Sequence, residues 1–259
     1  IYEPTAGNGA LLLGAAPENC TVNELNPDRA NQLRSQGFTV TEQDATAYLP
    51  NQLYDVVIMN PPFGRVKGKR FRLAGEMGTT SQIDQAIALH SLQAMKDDGR
   101  AVLILGGKPE ITPAERAEAY NSLETRRFFY ILQQQYNVID HFTISGDLYR
   151  KQGAGWAIDI IQIAGRGQSE RPLPAVESPR IYTSFNQLRG FLDDYLQHRP
   201  IAELQRVPNS RPSVDSLRGG GSGVIHGADS SQPNSPRLAN ISRIDEGAGG
   251  MDVPSTLGT

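Results

Sequence analysis

Strand-like and helix-like segments alternate over residues 1–106, and this alternation restricts the possible folds more than any other feature of the sequence. Short apolar runs such as TVNEL, YDVVIMN and RAVLIL have the length and composition of buried strands. Between them lie segments with the composition of helices, such as PDRANQLRSQ with Pro27 in its first turn. Strands that alternate with helices form a mostly parallel sheet with helices on both faces. The sequence therefore predicts an α/β fold.

Several further elements are predicted from local signals. Thr112, Pro113 and Glu115 form a capping pattern, which predicts one long helix over TPAERAEAYNSLETRRFFYILQQQY. Asp84, three residues after Ser81, predicts a capping box at the start of another helix. The segment NGALLLGAA is predicted to be a helix directly after the first strand. The runs NVIDHFTI and WAIDIIQIAG predict an antiparallel strand pair at the edge of the sheet.

The composition changes after about residue 165, which predicts three parts. Residues 1–165 form the main domain, expected to be N-terminally truncated because the chain begins inside a strand. Residues 166–200 form an extension with one possible helix, SFNQLRGFLDDYLQH. Residues 201–259 contain no Phe, Tyr or Trp and are rich in Pro, Ser, Gly and Asn. Such a segment cannot bury enough apolar surface to offset its ordering entropy, so a disordered tail or linker is expected.

Composition also limits which partners the protein is expected to bind. A formal net charge of −3 argues against binding nucleic acid by overall charge, although a local basic patch remains compatible with it. The single cysteine, Cys20, cannot form an internal disulfide, which favours a cytoplasmic location. No apolar run reaches the roughly 20 residues that span a bilayer. The four histidines are scattered and form no metal-ligand pattern, so neither a membrane nor a metal is expected.

Acidic residues, glycines and an asparagine follow four successive predicted strands. In an open α/β sheet the carboxyl ends of the strands form the edge where ligands bind. Glu3 begins the loop EPTAGNGA, whose glycines allow a tight turn and a close approach to a ligand. Glu3 suits a ligand ammonium group better than a phosphate. Glu24 suits ribose hydroxyls, or it is a solvated loop acid at the start of the next helix. Asp44 could accept from an adenine amine or merely cap the turn that follows it.

The fourth strand ends in an Asn-Pro-Pro-Phe corner, Asn60 to Phe63. Pro61 and Pro62 fix their own φ angles, so the Asn60 side chain and a main-chain carbonyl point in one direction. Two adjacent acceptors suit an NH₂ group, and Phe63 offers a face on which a planar ring can stack. The corner therefore predicts a clamp for an exocyclic amine.

The strings EPTAGNG and VIMNPPF resemble the cofactor loop and catalytic motif of class I S-adenosylmethionine-dependent N6-adenine DNA methyltransferases. The resemblance covers residues 1–165 and implies a Rossmann-like methyltransferase catalytic domain, with S-adenosyl-L-methionine as cofactor. It implies methylation of the exocyclic amine of a flipped adenine in DNA. The implied catalytic residues are Asn60, Pro61, Pro62 and Phe63. The implied cofactor-binding residues are Glu3, Pro4, Thr5, Ala6, Gly7, Gly9, Glu24, Leu25, Asp44, Ala45 and Asn60.

A basic stretch, RVKGKRFR, follows the corner immediately and contains five positive charges without an acid. Its cations are Arg65, Lys67, Lys69, Arg70 and Arg72. We expect it to contact DNA phosphates, with a solvated mobile loop as the alternative. Tyr149, Arg150 and Lys151 form a weaker candidate for backbone contact.

Two other functions are compatible with the motifs. RNA and protein-glutamine methyltransferases share Asn-Pro-Pro-aromatic motifs, and a non-catalytic cofactor-binding module could position a helicase on DNA. The run from Leu148 to Leu188 resembles the methyltransferase-like region that precedes strawberry-notch-type helicases of phage and plasmid proteins. This second resemblance implies a helicase domain in the same full-length chain.

Overall fold

A mixed eight-stranded sheet forms the centre of the fold in this computed structural model, which describes residues 1–73, 78–148 and 155–198. The strands of the chain are β1 (Tyr2–Glu3), β2 (Thr21–Asn23), β3 (Thr39–Thr41), β4 (Tyr54–Met59), β5 (Phe71–Arg72), β6 (Thr79–Thr80), β7 (Met95–Gly106), β8 (Tyr136–Ile144), β9 (Ile158–Arg166) and β10 (Arg180–Tyr182). The α-helices are α1 (Pro27–Ser35), α2 (Ile83–Ser91), α3 (Pro113–Tyr120), α4 (Leu123–Gln135) and α5 (Phe185–His198). The predicted tail, 201–259, and the candidate residues Tyr149, Arg150 and Lys151 lie outside the described residues.

The strand order of the sheet is β10-β8-β9-β7-β4-β1-β2-β3, while β5 and β6 form a separate antiparallel hairpin. All neighbours in the large sheet are parallel except β9, which is antiparallel to both β7 and β8. The prediction of a mostly parallel sheet with an antiparallel hairpin near its edge is thus confirmed. The sheet extends one strand beyond that hairpin, because β10 pairs in parallel with β8.

Strand order reverses at β1, and this reversal positions the site. From β1 the chain proceeds outward through β2 and β3 on one side, then continues through β4 and β7 on the other. The loops that follow β1 and β4 therefore diverge, leaving a crevice at the carboxyl end of the sheet. The main hydrophobic core joins β7 and β9 to α2 and α4, for example through Leu103, Ile161, Leu89 and Leu132.

The long helix predicted from Thr112 onward is wrong, because the chain forms two helices, α3 and α4, with a break at Asn121 and Ser122. Ser122 has extended backbone angles, φ −59° and ψ 144°. Its carbonyl accepts from the Arg126 amide at 2.8 Å, which begins the second helix. The predicted cap is present, since the Thr112 side chain accepts from the Glu115 amide.

Two other helix predictions also fail in detail. The segment NGALLLGAA forms only a 3₁₀ turn at Ala10–Leu12, bounded by Gly9 and Gly14 in left-handed conformations with φ of 77° and 88°. These backbone angles interrupt an α-helix. The α2 helix starts at Ile83 instead of Ser81, and the Asp84 carboxylate accepts from the Gly106 amide at 3.0 Å instead of capping.

The central position of β7 gives a stability prediction. We expect Leu103→Ala to lower the free energy of unfolding by about 2–5 kcal/mol, because Leu103 is fully buried in the main core. Chemical denaturation monitored by circular dichroism measures the change. Leu13→Ala is the matched control, since Leu13 is 87% exposed and its loss should leave stability nearly unchanged. Equal effects of the two substitutions would contradict the assignment of the core.

Candidate active site

The carboxyl ends of β4, β1, β2 and β3 lie side by side because these strands are parallel neighbours. Glu3 is the last residue of β1, Glu24 follows β2, and Asn60 follows β4. Asp44 lies three residues beyond the end of β3. The structure therefore places the acidic residues and the Asn-Pro-Pro-Phe corner along one edge of the sheet, on both sides of the crevice beside β1.

Glu3 is a buried carboxyl group without a partner for one of its oxygens. The residue is 1% exposed, and its Oε2 makes no hydrogen bond among the described residues. Burial, reinforced by the nearby Glu24 charge, raises the pKa of Glu3 from 4.5 to about 8. A cationic donor that reached Oε2 would favour the ionised form, so the site is suited to an ammonium group. The Thr5 hydroxyl, two residues along the loop, is likewise buried without a hydrogen-bond partner in the described part of the chain.

Glu24 holds the loop after β1 against the start of α1. Its Oε2 accepts from the Gly7 amide at 2.8 Å. Its Oε1 accepts from the Asn26 amide at 2.8 Å and from Arg29 Nη2 at 2.7 Å. A carboxylate offers about four lone-pair positions, so a hydroxyl group that bound here would share Glu24 with these donors. The residue thus shapes the loop in addition to its predicted role.

Glycine is favoured at two positions of the loop after β1 for different structural reasons. Gly7 has φ of 56°, and a Cβ added there would meet open space, so only the backbone conformation favours glycine. At Gly9, with φ of 77°, a Cβ would also come within 3.1 Å of Leu33 Cδ2 on α1. Pro4 and Ala6 are buried beneath the loop. The loop therefore follows a defined path from β1 toward the 3₁₀ turn that follows it.

Sequence reasoning missed Asn23, which joins three strand ends. This side chain is buried, and its Nδ2 donates to the carbonyls of Pro4 at 3.1 Å and Gln43 at 2.8 Å. Its Oδ1 accepts from the Gln43 amide at 3.0 Å and from the Thr41 hydroxyl at 2.8 Å. The signal in the sequence is one amide residue at the end of an apolar strand. Asn23 fixes the loops that carry Glu3 and Asp44 relative to each other.

Asp44 caps the turn that follows it, which is one of the two roles that the sequence allows. Its Oδ1 accepts from the Thr46 amide at 2.9 Å and the Thr46 hydroxyl at 2.7 Å. These hydrogen bonds, with a smaller contribution from the Lys69 charge, hold the pKa of Asp44 below its ordinary value. The neighbouring Ala45 is buried, whereas Leu25 beyond β2 is 66% exposed. An exposed leucine beside this edge is available to cover one face of a planar ligand.

Phe63, the last residue of the Asn-Pro-Pro-Phe corner, lines an aromatic cavity of about 350 Å³. Asn60 and Pro62 are exposed, Pro61 is buried, and Phe63 is 39% exposed. Phe63 lies against Gly106, where an added Cβ would come 3.8 Å from the Phe63 Cβ. The aromatic side chains that line the cavity are Phe63, Tyr120, Phe128, Phe129 and Trp156.

Trp156 is the second functional candidate that sequence reasoning missed. It is the chain's only tryptophan, it is 77% exposed, and it lines the cavity with Phe63. An exposed tryptophan at a cavity mouth offers a large flat face for stacking. The available signal for a functional role was its position in the glycine-containing segment before β9. The sequence does not show that it shares a cavity with Phe63, because that arrangement depends on the fold.

A buried polar cluster surrounds Asp159, which lines the aromatic cavity together with Tyr120. Asp159 accepts from the Tyr120 hydroxyl at 2.7 Å and from the Thr143 hydroxyl at 2.8 Å. His141 Nε2 is 3.3 Å from the second carboxylate oxygen of Asp159. Burial and the Asp159 charge raise the pKa of Tyr120 well above its ordinary value, so the hydroxyl stays a donor. At Gly107 an added Cβ would come within 2.8 Å of Asp159 Oδ1, so glycine keeps this cluster compact.

The basic stretch after the corner divides into two groups. Arg65 and Arg70 both approach Glu124 on α4, at 3.7 Å and 3.0 Å. Lys67, Lys69 and Arg72 are exposed, and no ion pair joins them to an acid among the described residues. Lys69 Nζ lies 5.0 Å from the centroid of the Phe71 ring. The stretch is thus partly anchored to the domain, and it retains cations that face solvent.

Metal ligands and membrane-spanning helices are two further features that would bear on function. Among residues 1–73, 78–148 and 155–198, no cluster of three or more His, Cys, Asp or Glu side chains could hold a metal ion. None of the helices in the same ranges is long and apolar enough to cross a membrane.

Comparison with known proteins shows the fold. No protein-family model matches the sequence, and no curated protein matches it. A modification subunit of a putative type I restriction enzyme from Vibrio vulnificus superposes with a TM-score of 0.51 at 10% identity, over 77% of this chain. A putative class I S-adenosylmethionine-dependent methyltransferase from Listeria monocytogenes superposes with a TM-score of 0.50 at 16% identity, over 79% of this chain.

This chain spans 49% of the first of those proteins and 64% of the second. Together with the strand order, these likenesses show that the chain has the Rossmann-like fold of class I methyltransferases. At 10% and 16% identity, these structural similarities show the fold and do not identify the substrate.

The raised pKa of Glu3 gives a stability prediction with a definite sign. Between pH 4.5 and about 8 the folded chain retains a proton that the unfolded chain releases, so ionisation of Glu3 makes stability fall as pH rises through this window. We expect Glu3→Gln to stabilise the cofactor-free protein at pH 7 by up to about 3 kcal/mol. The advantage should disappear near pH 4, where Glu3 is protonated in both states.

Chemical denaturation at pH 4, 7 and 8 measures this difference. Glu118→Gln is the control, because Glu118 is exposed and its substitution should change stability little at any of these pH values. A Glu3→Gln protein less stable than the parent at pH 7 would contradict the assignment of Glu3 as an unpartnered buried acid.

Proposed function

We propose that the chain transfers a methyl group from S-adenosyl-L-methionine to the exocyclic amine of adenine in DNA. The observation that carries this proposal is the Asn-Pro-Pro-Phe corner, which follows β4 at the carboxyl edge of a class I methyltransferase fold and contributes Phe63 to an aromatic cavity. The cavity volume of about 350 Å³ lies in the range of small-molecule sites. Aromatic walls with polar groups at one end suit a flat base that carries an amine.

The unpartnered groups at β1 support S-adenosyl-L-methionine as the cofactor. When bound, this cofactor supplies an electrophilic methyl group. The Glu3 carboxylate would accept from its ammonium group, which satisfies the buried Oε2. Glu24 would accept from the ribose hydroxyls and Asp44 from the adenine amine, with Leu25 and Ala45 flanking that ring. The remaining residues of the proposed cofactor site lie in the loop after β1: Pro4, Thr5, Ala6, Gly7 and Gly9.

The clamp residues act on the nucleophile. The Asn60 side-chain carbonyl and the Pro61 main-chain carbonyl accept from the two N–H groups of the target amine. These bonds would draw the nitrogen toward tetrahedral geometry, so its lone pair would be available to form the new carbon–nitrogen bond while the bond between the methyl carbon and the cofactor sulfur breaks. The nitrogen would then lose one proton to solvent, which restores the neutral amine and leaves the cofactor as the neutral thioether. Phe63 and Trp156 hold the flipped base between their rings, with Pro62 fixing the direction of the corner.

The exposed cations after the corner support nucleic acid as the substrate. In this proposal Lys67, Lys69 and Arg72 contact backbone phosphates beside the flipped base. Arg65 and Arg70 contribute more weakly, because Glu124 lies within 4 Å of both guanidinium groups. A protein-glutamine substrate would gain nothing from these cations, and the motif alone does not separate DNA from RNA.

The proposal also assigns a role to each of the three parts of the chain. Residues 1–165 carry catalysis and residues 166–200 extend it, since β10 joins the same sheet and α5 follows it. Residues 201–259 would then link this cytoplasmic enzyme to a helicase domain in the full-length chain. The resemblance of the run from Leu148 to Leu188 to phage and plasmid proteins supports that connection.

The clamp is tested by Asn60→Ala. We expect loss of methyl transfer to duplex DNA by about 100-fold or more, because the truncated side chain no longer accepts from the amine. Cofactor affinity, measured by calorimetry, should stay within about twofold because Glu3, Glu24 and Asp44 remain. Asn51→Ala is the matched control, since Asn51 is exposed away from the corner. Unchanged single-turnover rates for Asn60→Ala would remove the clamp from the mechanism.

The basic stretch is tested by the salt dependence of DNA binding. Changing Lys67 and Lys69 to Ala should reduce the slope of log affinity against log salt by about 1.8, since each phosphate contact contributes about 0.9. Lys96→Ala is the control, because Lys96 pairs with Asp55 at 2.6 Å at the amino-terminal end of β7. An unchanged slope in the double variant would assign the stretch to the solvated-loop alternative.

A further inference from the structure

A second cavity, of about 450 Å³, shares no lining residue with the aromatic cavity. It is enclosed by the first turn of α3, the end of α4, β8, β10 and the proline-rich segment before β10. Its lining includes three arginines, Arg116, Arg171 and Arg180, together with His141, and the acidic residue among its described lining is Glu177, which is exposed. Three arginine side chains therefore line this cavity, and none of them belongs to the clamp or the cofactor loop.

Arg116 is the innermost of these cations. It is 3% exposed, and its Nε donates to the Pro179 carbonyl at 3.1 Å. Its Nη1 donates to the carbonyls of Glu110 at 2.8 Å and Ile111 at 2.6 Å. Among the described residues no carboxylate forms an ion pair with Arg116, and Nη2 makes no hydrogen bond. A buried charge without a counter-ion is costly, so this site favours an anion.

Arg171 and Arg180 converge on one carboxylate, that of Asp140. Arg180 Nη2 lies 2.7 Å from Asp140 Oδ2, and Arg171 Nη1 lies 3.8 Å from Oδ1. The Arg180 guanidinium also lies 4.7 Å from the Phe191 ring centroid, which holds its plane in position. One buried carboxylate thus faces two guanidinium groups, and Arg116 adds a third cation to the same cavity. Arg171 and Arg180 are partly exposed, and against Asp140 and Glu177 the three guanidinium groups leave an excess of one positive charge.

We propose that this cavity binds a phosphate group. Guanidinium groups match phosphate oxygens with two parallel hydrogen bonds, and several can surround one tetrahedral dianion. The phosphate could belong to a nucleic-acid backbone or to a free phosphorylated small molecule, since the same guanidinium groups recognise both. The site is separate from the clamp and the cofactor loop, because none of its lining residues belongs to either, while His141 links it to Asp159 of the aromatic cavity.

Phosphate titration of the 259-residue chain tests the site, with calorimetry and phosphorus NMR as the two readouts. Inorganic phosphate and pyrophosphate should bind saturably at one site per chain. Arg171→Gln should weaken binding about tenfold, because it removes a charged donor while Arg180 still neutralises Asp140. Glu177→Gln should strengthen binding about twofold, because it removes a repelling rim charge. Arg189→Gln, in a surface pair with Asp193, should leave binding unchanged.

The opposite signs expected for Arg171→Gln and Glu177→Gln separate ligand binding from a purely structural role. Circular dichroism must show equal folding of all three variants. Absence of saturable phosphate binding by the folded parent chain would overturn the proposal, as would equal affinities in the parent, Arg171→Gln and Glu177→Gln. Tighter binding of malonate than of phosphate would also overturn it, since the site would then be a carboxylate site.

Parallel measurements of duplex DNA binding distinguish the two sources of phosphate. If Arg171→Gln lowers both phosphate affinity and the salt slope of DNA binding, the site receives a backbone phosphate. If phosphate affinity falls and DNA binding is unchanged, the ligand is a free phosphorylated molecule. Both results support the site, and neither depends on whether the chain methylates DNA.

Discussion

Parallel pairing of β1 with both β2 and β4 is the constraint on which the candidate active site depends. It brings the loop after β1 between two other strand ends, and the reversal of strand order there opens the crevice. Asn23 then fixes the loops after β1 and β3 through four hydrogen bonds. The acids and the Asn-Pro-Pro-Phe corner need no further element to share one edge.

At the same edge, burial of Glu3 near the Glu24 charge makes its ionisation unfavourable, and a cationic ligand would offset this effect. Glu3 and Glu24 lie close enough for the Glu24 charge to raise the pKa of Glu3, yet within the described residues only Glu24 has a cation, Arg29, beside it. Glu24 is therefore held as part of the loop, while Glu3 is left buried with an unpartnered oxygen. An incoming ammonium group would supply the charge that Glu3 lacks. Binding of such a ligand and folding stability would thereby be coupled through one carboxyl group.

The sequence predicted the features that depend on short stretches of chain. The strand ends, Pro27 in the first turn of α1 and the Thr112 cap are encoded within a few residues. Contacts between distant residues were not predictable in this way. Trp156 lines the same cavity as Phe63 only because β9 pairs with β7, and Glu124 on α4 lies 3.7 Å from Arg65, which is distant from it in the sequence. The break at Ser122 was missed although Asn121 and Ser122 are residue types that favour turns and helix N-caps, because helix-forming residues on both sides obscured this signal.

The fate of the methyl group tests the account most directly. Full-length protein would be incubated with methyl-labelled S-adenosyl-L-methionine and equal amounts of DNA, RNA and protein substrates, followed by mass spectrometry of the digested products. The account predicts label on the exocyclic nitrogen of adenine in DNA. Label on a glutamine side chain or in RNA alone, or bound cofactor with no transfer to any substrate, would contradict it.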